Sequence, residues 1–297
     1  MDTMTLGDVE ITRVTEMSTL RMDRSSMYPD CDPSLWQKHG DWLVPDYYDP
    51  AADDVLVIIQ SWLVRTEGRT ILVDTGAGDD KERPQQEPFH RKRSDYLGAL
   101  ERAGARPEDV DTVVCTHLHG DHVGWNTRLV DGEWVPTFPN ATYVLPHADF
   151  EYFRPENLPA DRRGAGMTNI YEDSVQPVAD AGQVRTWQDH HDLTANLRLE
   201  SAPGHTPGAS VIRLRSGSDR AVFVGDLIHS PLQVPEPQCC PGLDETPDQA
   251  RQSRRAVLGR AADENELVIP AHFHKAGAFE IDREGDSFTV REWKLPC

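Results

Sequence analysis

Three histidines and one aspartate stand within a stretch of six residues, a dense set of side chains able to bind a metal: His117, His119, Asp121 and His122. The apolar run at 110–115 that precedes them predicts a buried strand. Alternate side chains of an extended chain point to one side, so the first two histidines should face the same space. Gly120 permits a sharp turn, which brings the aspartate and the third histidine to that space. Imidazole nitrogens and a carboxylate oxygen suit zinc, with iron and manganese as alternatives.

Four other segments carry a histidine or an aspartate in or directly after an apolar run. They are Val73–Gly76 with Asp74, Ala202–Gly208 with His205, Val224–Asp226 with Asp226, and Pro270–His272 with His272. The segment 116–122 resembles the HxHxDH motif of the metallo-β-lactamase superfamily, and the other four resemble further motifs of that family in the same order. The resemblance extends over residues 56–275, which is most of the chain.

The resemblance implies an α/β (α+β) fold, a four-layer αββα sandwich whose metal ligands lie on loops at one edge of two sheets. It also implies two divalent metal ions, zinc by default, with iron or manganese possible. One ion would bind His117, His119 and His205, the other Asp121, His122 and His272. Asp226 would bridge them. In relatives, the residue corresponding to Asp74 supports the site by hydrogen bonds to groups near the metal.

Seven protein ligands for two ions leave open coordination positions, which are typical of catalytic rather than structural sites. Water between two dications loses a proton near neutral pH and becomes a nucleophile. Asp121 and Asp226 are therefore candidate catalytic residues. His229 is a third, expected to bind or protonate the substrate, and its alternative role is that of a surface or supporting histidine. His274 is the alternative to His272 as the last ligand.

The superfamily branches that the sequence resembles are the quorum-quenching lactonases and the methyl-parathion-hydrolase-like enzymes. The expected function is a dinuclear metal-dependent hydrolase in which a metal-bridging hydroxide attacks a carboxylic ester, in particular a lactone. Phosphotriester, thioester or β-lactam hydrolysis on the same site is the alternative. A metal-binding protein without turnover is the non-enzyme alternative.

Length and charge narrow the classes of partner. The 297 residues fit a single hydrolase domain, 1–297, with a sizeable core. The formal net charge of −20 opposes nucleic acid binding. No apolar run has the length of a membrane span, and the N-terminus lacks a signal pattern. A cytoplasmic protein with a small-molecule substrate, no nucleic acid partner and no membrane contact is expected.

The five cysteines show no regular spacing, which fits a reducing compartment. Cys239 and Cys240 are adjacent, so a bridge between them is geometrically poor. Cys115 follows apolar residues and is expected in the core. Cys31 and Cys297 are expected at the surface.

The stretch 17–50 lacks periodicity and is rich in aromatic residues. Long irregular segments in compact domains are usually functional or mobile. An N-terminal cap over the site and an arm that forms a homodimer are equally supported. As a cap, the stretch is expected to place Trp36 and Trp42 against the apolar part of a substrate.

Apolar runs bounded by turn residues predict strands in two blocks. They are 9–14, 55–65, 70–73, 110–115 and 141–145, and then 183–186, 197–201, 210–214, 221–224, 267–269, 279–281 and 287–293. Helices are predicted at 94–104, 147–153 and 248–262, the last with its basic residues on the exposed side.

Overall fold

A computed structural model of the chain describes residues 3–159, 168–275 and 277–294. Within them the strands are β1 (Thr3–Leu6), β2 (Val9–Asp23), β3 (Tyr48–Asp49), β4 (Asp54–Thr66), β5 (Arg69–Val73), β6 (Thr112–Val114), β7 (Thr127–Val130), β8 (Glu133–Pro136), β9 (Thr142–Pro146), β10 (Val184–Trp187), β11 (His190–Asp192), β12 (Leu197–Ser201), β13 (Ser210–Ser216), β14 (Asp219–Gly225), β15 (Leu267–Pro270), β16 (Ala278–Glu284) and β17 (Ser287–Lys294). The α-helices are α1 (Arg24–Met27), α2 (Ser34–Lys38), α3 (Gly40–Leu43), α4 (Tyr96–Arg102), α5 (Gly120–Val123), α6 (His147–Tyr152), α7 (Thr168–Ile170), α8 (Gln176–Asp180) and α9 (Pro247–Glu264). A π-helical turn, Tyr171–Val175, joins α7 to α8, and short 3-10 turns occupy Glu87–Phe89, Pro107–Asp109, Gly124–Asn126 and Pro231–Gln233.

The strands form two large sheets and a small hairpin. The first sheet has the order β1-β2-β4-β5-β6-β9-β10, with β3 beside β4, and the second runs from β11 to β17 in chain order. Strands β5, β6, β9 and β10 are parallel, as are β14 and β15. Carboxyl ends of neighbouring parallel strands lie together at one edge. The loops after β5, β6, β14 and β15, which carry the predicted site residues other than His205, therefore share an edge within each sheet. His205 follows β12, which runs in the same direction as β14 because both are antiparallel to β13.

Apolar side chains fill three layers between the elements. Between the sheets lies a core that includes Trp62 of the first sheet and Phe223 of the second, with ring centroids 6.3 Å apart. Helices α4 and α8 cover the outer face of the first sheet. Helix α9 covers the outer face of the second through Val257 and Leu258. This helix–sheet–sheet–helix order confirms the predicted αββα sandwich.

The prediction that 17–50 is irregular is wrong in part. Strand β2 continues to Asp23, and three short helices and β3 follow. The alternation of apolar residues breaks because β2 pairs with β4 through register shifts at Thr15/Met17 and Met17/Leu20. Such shifts turn successive side chains away from the simple period of two, so the strand shows no regular pattern in the sequence.

Two further expectations fail on buried residues. Arg254 of α9 is fully buried, so the basic residues of this helix are not all on its exposed side. Cys31 is also buried, and it forms a disulfide with Cys239 across a sequence separation of 208 residues. The spacing rules of a disulfide-rich framework fail to detect a single bridge that closes most of the chain, and this bridge counts against the reducing compartment expected from the cysteines. Cys115 and Cys240 are free and buried.

The helices of the described segments include none long and apolar enough to cross a membrane.

Candidate metal centre

The first group of candidate ligands comes from the loop after β6 and the loop after β12. The Nδ1 atom of His119 lies 3.1 Å from Nε2 of His117 and 2.9 Å from Nε2 of His205. His117 and His205 are buried, and His119 is partly buried. The three nitrogens and a carboxylate oxygen of Asp226 lie within 4.8 Å of one another.

The second group combines the start of α5 with the loop after β15. The Nε2 atoms of His122 and His272 are 3.2 Å apart. The Oδ2 atom of Asp121 lies 3.8 Å from the first and 3.7 Å from the second. The structure thus brings together these three residues, while the ring of His274 instead bonds the Thr19 hydroxyl at 2.7 Å.

Asp226 stands between the two groups. Its Oδ2 atom lies 3.2 Å from Nε2 of His205 and 3.6 Å from Nε2 of His117. Its Oδ1 atom lies 2.9 Å from Nε2 of His272 and 3.1 Å from that of His122. One carboxylate oxygen therefore serves each group, which is the arrangement that a bridging ligand requires.

The spacing of the second group and the burial of Asp226 suit a divalent cation. A tetrahedral ion with nitrogens at 2.0–2.1 Å holds those nitrogens about 3.3 Å apart, close to the 3.2 Å that separates His122 and His272. The Oδ1 atom of Asp226 is buried, and its short distances to two imidazoles lack hydrogen-bond geometry. A buried carboxylate oxygen without a hydrogen bond is costly unless a cation occupies its lone pairs. The role of all seven residues as ligands nevertheless stays a prediction.

Hydrogen bonds fix the far nitrogen of several rings. Asp74 accepts from Nδ1 of His122 at 2.9 Å and from the backbone N–H of Thr116 at 2.7 Å, which confirms its predicted support of the site. The carbonyl oxygen of Ile58 is 2.9 Å from Nδ1 of His272. These bonds direct each Nε2 toward the common space, as metal-binding histidines require.

Asp244 orients the ring of His205 by a hydrogen bond to its Nδ1 atom. This role of Asp244 was not predicted from the sequence. Its Oδ1 atom is 2.9 Å from Nδ1 of His205, and its other oxygen is 3.4 Å from Arg254. The loop that carries His205 approaches α9 closely, since a Cβ on Gly204 would lie 2.2 Å from the Ala250 nitrogen. Asp244 follows a Pro-Gly-Leu turn with no periodic pattern, so the sequence gives no signal for this contact.

Asp149 in α6 joins the two loops of the first group and was also missed. Its carboxylate accepts from the Leu118 N–H at 3.0 Å, the Thr206 hydroxyl at 2.8 Å and the Gly208 N–H at 2.5 Å. Its side chain is completely buried, and burial raises its pKa to about 6 against the effect of these donors. Three bonds to two loops fix the separation of His119 and His205.

Burial and the nearby carboxylates oppose each other in setting the protonation of the rings. Burial lowers the pKa of His122, His205 and His272, but neighbouring aspartates outweigh it and raise the pKa of each. In His117 and His119 burial prevails. It lowers the pKa of His117 and His119 well below the ordinary histidine value, and neighbouring imidazoles lower it further. Both rings are therefore neutral near pH 7, which is the form that binds a metal. Burial opposes ionisation of Asp226, but the surrounding imidazoles outweigh it and hold the pKa of this carboxyl well below its usual range.

His229 lies inside the same site. It is 3% exposed, its Nε2 is 2.9 Å from Oδ2 of Asp226, and neither ring nitrogen has a hydrogen-bond partner of good geometry. Its ring stacks on that of His272, with centroids 5.5 Å apart. The alternative of a surface histidine is therefore wrong, and the chemical role of His229 stays a prediction.

A cavity of about 340 Å³ opens on the two groups. Its polar end contains His119, Asp121, Asp226, His229 and His272. Its apolar walls consist of Leu20, Met22, Met27, Val57, Ile59, Pro88, Phe89, Ile170 and Leu243.

The aromatic residues expected near the substrate lie elsewhere. Trp36 is fully buried between Tyr28 and Tyr48, and neither it nor Trp42 lines this cavity. Trp42 packs on Trp293 and His39 beside a different surface groove. The stretch 17–50 reaches the cavity through Leu20, Met22 and Met27 instead.

Comparison with known proteins agrees with this geometry. The family model of the metallo-beta-lactamase superfamily matches residues 55–272. The chain belongs to the metallo-β-lactamase superfamily. It is thus a member of a superfamily of metal-dependent hydrolases, and its relatives include lactonases.

Two relatives in sequence and one solved structure show what this superfamily member resembles. Metallo-beta-lactamase domain-containing protein 1 of Xenopus laevis is 27% identical over 223 residues, 74% of this chain and 71% of the relative. The N-acyl homoserine lactonase AttM of Rhizobium radiobacter is 28% identical over 190 residues, 62% of this chain and 66% of the relative. The solved structure of AidC, a dizinc quorum-quenching lactonase, has a TM-score of 0.76 at 22% identity and covers 97% of this chain and 95% of its own.

Proposed function

We propose that this chain is a single-domain, dinuclear metal-dependent hydrolase that cleaves carboxylic esters, lactones in particular. The observation that carries the proposal is the position of Asp226, whose two oxygens each face one group of candidate ligands. His117, His119 and His205 would hold one ion. Asp121, His122 and His272 would hold the other. Zinc suits this mixture of nitrogen and oxygen donors, with iron or manganese as alternatives.

A pair of divalent ions in such a site supplies an activated water and polarises the substrate carbonyl. The protein contributes the rest. Asp74 and Asp244 fix the ring orientation of His122 and His205, and Asp149 fixes the spacing of the loops. His229 donates to or orients the substrate, because it lines the cavity and its ring nitrogens lack hydrogen-bond partners of good geometry, although Nε2 lies 2.9 Å from Asp226.

The cavity supports an ester with an apolar acyl part. Nine apolar side chains line the space beside the polar end, so an alkyl chain placed there leaves water. Each buried methylene is worth about 0.8 kcal/mol. Three of the nine come from β2 and α1, which supports the role of 17–50 as a cap. The similarity to the lactonase AttM supports a lactone substrate.

The test combines metal analysis with a substrate panel. Protein purified without chelators should contain close to two equivalents of transition metal, and the Asp226→Ala variant should lose both, since one carboxylate serves both groups. Metal-replete protein should hydrolyse lactones and aryl esters faster than phosphotriesters, thioesters and β-lactams. One equivalent at saturation would contradict the dinuclear site. Preference for another member of the panel would reassign the substrate, and full metal loading without turnover would favour a metal-binding protein.

A further inference from the structure

The apolar wall of the cavity is built by two segments that are distant in sequence. Met27, at the end of α1, comes from the N-terminal stretch, and Leu243 comes from the loop between β14 and α9. The two segments touch directly, because the Gly242 N–H donates to the Met27 carbonyl oxygen at 2.9 Å. A Cβ on Gly242 would lie 3.3 Å from the Pro29 ring, so the contact is close.

The Cys31–Cys239 disulfide crosslinks these same segments. Cys31 is four residues after Met27, and Cys239 is four residues before Leu243. The Cα atoms are 5.2 Å apart, and both side chains are buried. Neither cysteine lines the cavity, so the crosslink joins the two segments outside the substrate space.

The same loop also carries His229. Oε1 of Gln233 accepts from the His229 N–H at 2.7 Å and from the Tyr28 hydroxyl at 3.0 Å, and Nε2 of Gln233 donates to the Cys239 carbonyl oxygen at 3.0 Å. The loop thus holds its own shape through Gln233. Near Met27, the N-terminal segment contacts the loop through the Tyr28–Gln233 hydrogen bond, the Gly242–Met27 backbone hydrogen bond and the disulfide. Farther along the chain, Lys38 and His39 contact Glu236 of the same loop at 2.7 and 3.0 Å.

We infer that the Cys31–Cys239 disulfide positions the Met27–Leu243 wall and thereby sets the preference of the enzyme for long acyl chains. The effect on acyl-chain preference rests on the proposed ester hydrolysis, whereas the positioning of the wall by the disulfide does not. Reduction breaks the S–S bond when a thiol or phosphine reductant supplies two electrons, and two protons are taken up to give two thiols. The N-terminal segment then moves away from the loop, and the wall loses Met27 while the seven candidate metal ligands stay in place.

The variants that test this are Cys31→Ser and Cys239→Ser, with Cys240→Ser as the matched control. Cys240 is adjacent in sequence and buried but is a free thiol. The substrates are the acetyl and decanoyl esters of one aryl alcohol. We expect kcat/KM on the decanoyl ester to fall about tenfold in either bridge variant, mainly through KM, because roughly two methylenes lose their contact. The acetyl ester should change less than about twofold, and Cys240→Ser should match the parent on both.

A chemical route avoids dependence on variants that fold poorly. The parent protein is reduced, alkylated, freed of reductant and reloaded with metal, and its metal content is measured. It should reproduce the change seen in Cys31→Ser, and the same treatment should add nothing to that variant. Equal loss on both esters, or no change on either, overturns the inference, as does a peptide map of the unreduced protein with both thiols free.

Backbone hydrogen exchange of 24–31 and 239–243 gives a readout that needs no activity. Exchange in these two segments should be faster after reduction and unchanged in Cys240→Ser. If exchange does not change, the crosslink does not hold the wall and the inference fails. If neither ester is hydrolysed, the proposed function fails, and hydrogen exchange still decides whether the disulfide holds the two segments together.

Discussion

At the scale of single residues, the site depends on the hydrogen bond that Nδ1 of each of three histidine rings makes. His122, His205 and His272 each have Nδ1 bonded to an acceptor, so that Nε2 faces the other ligands. Two of these three acceptors are carboxylates and the third is a backbone carbonyl. Partners of this kind are commonly worth a factor of 10–100 in metal affinity. The candidate ligands are therefore oriented by the protein before any ion binds.

A pair of histidines two residues apart permits a direct test of ligand identity. His272→Ala should remove about one equivalent of metal and reduce kcat/KM more than about a hundredfold, beyond the effect usual for an outer-shell partner. His274→Ala should keep both equivalents, since that ring bonds Thr19. The measurement is elemental analysis together with initial rates. Loss of metal in His274→Ala but not in His272→Ala would reverse the assignment.

At the scale of elements, α9 supports the site from behind. Arg254 donates to the Leu227 carbonyl oxygen at 2.7 Å and to the Pro237 carbonyl oxygen at 2.8 Å, and it lies 3.4 Å from Asp244. A single guanidinium therefore ties the helix to the loop that follows Asp226 and to the carboxylate that orients His205. This connection explains why a basic residue occupies the buried face of the helix.

Arg254→Ala should lower the free energy of unfolding by about 3–5 kcal/mol, because it leaves buried acceptors and Asp244 without their partner. It should also weaken metal binding through His205. Arg255→Ala is the matched control, since Arg255 is exposed and its loss should cost less than about 0.5 kcal/mol. Denaturant unfolding of both metal-loaded variants measures the difference. Similar losses in both variants would show that Arg254 has no special role.

The N-terminal elements supply a second test, of the cavity wall. Met22→Ala should reduce kcat/KM on a decanoyl ester about tenfold and leave an acetyl ester nearly unchanged, because the side chain lines the cavity. Trp42→Ala, in the same stretch but at a different groove, should not alter the ratio of the two rates. Metal content should stay the same in both variants. If only Trp42→Ala changes the ratio, Trp42 contacts the acyl chain, as first expected from the sequence, and Met22 does not.

The elements also show how far the sequence alone could lead. The structure confirms the predicted strands of both sheets and helix α9. These elements were predictable because their residues are consecutive and their patterns are regular. The convergence of His205, Asp226 and His272 became predictable only through the resemblance, since their loops are far apart in the chain. Asp149, Asp244 and the Cys31–Cys239 bridge were missed because each depends on a long-range contact between segments without a repeating pattern.

At the scale of the whole molecule, long-range links join regions far apart in sequence. The disulfide joins the segment between α1 and α2 to the loop after β14. Crosslinks that close long loops restrict the unfolded chain most in the entropic model. In a second such link, Lys81 and Arg83 connect the loop after β5 to Asp173 in the π-helical turn. Arg83 binds the Asp173 carboxylate through two bonds, at 2.6 and 2.8 Å. The loop 85–89 that lines the cavity follows this anchor.

Lys81 is a buried lysine whose titration should make the stability of the molecule depend on pH. Its side chain is fully buried, it donates to the Thr127 hydroxyl at 2.6 Å and to the Asp173 carbonyl oxygen at 2.9 Å, and it lies 3.6 Å from the centre of the Trp134 ring. Burial lowers its pKa to about 7, although the Asp173 carboxylate opposes this shift and Arg83 adds to it. An exposed lysine in the unfolded chain titrates near pH 10.4.

Between about pH 7 and pH 10 the unfolded chain therefore binds one more proton at Lys81 than the folded chain does. The free energy of unfolding should rise with pH across this window, by up to about 1.4 kcal/mol per unit from this group alone. Lys81→Met should flatten that part of the curve, whereas Lys38→Met, at a lysine whose side chain is 62% exposed, should retain it. Urea unfolding at several pH values, with metal held at saturation, gives the three curves. If the parent and Lys81→Met rise with the same slope, Lys81 is charged throughout the window and its pKa is not lowered.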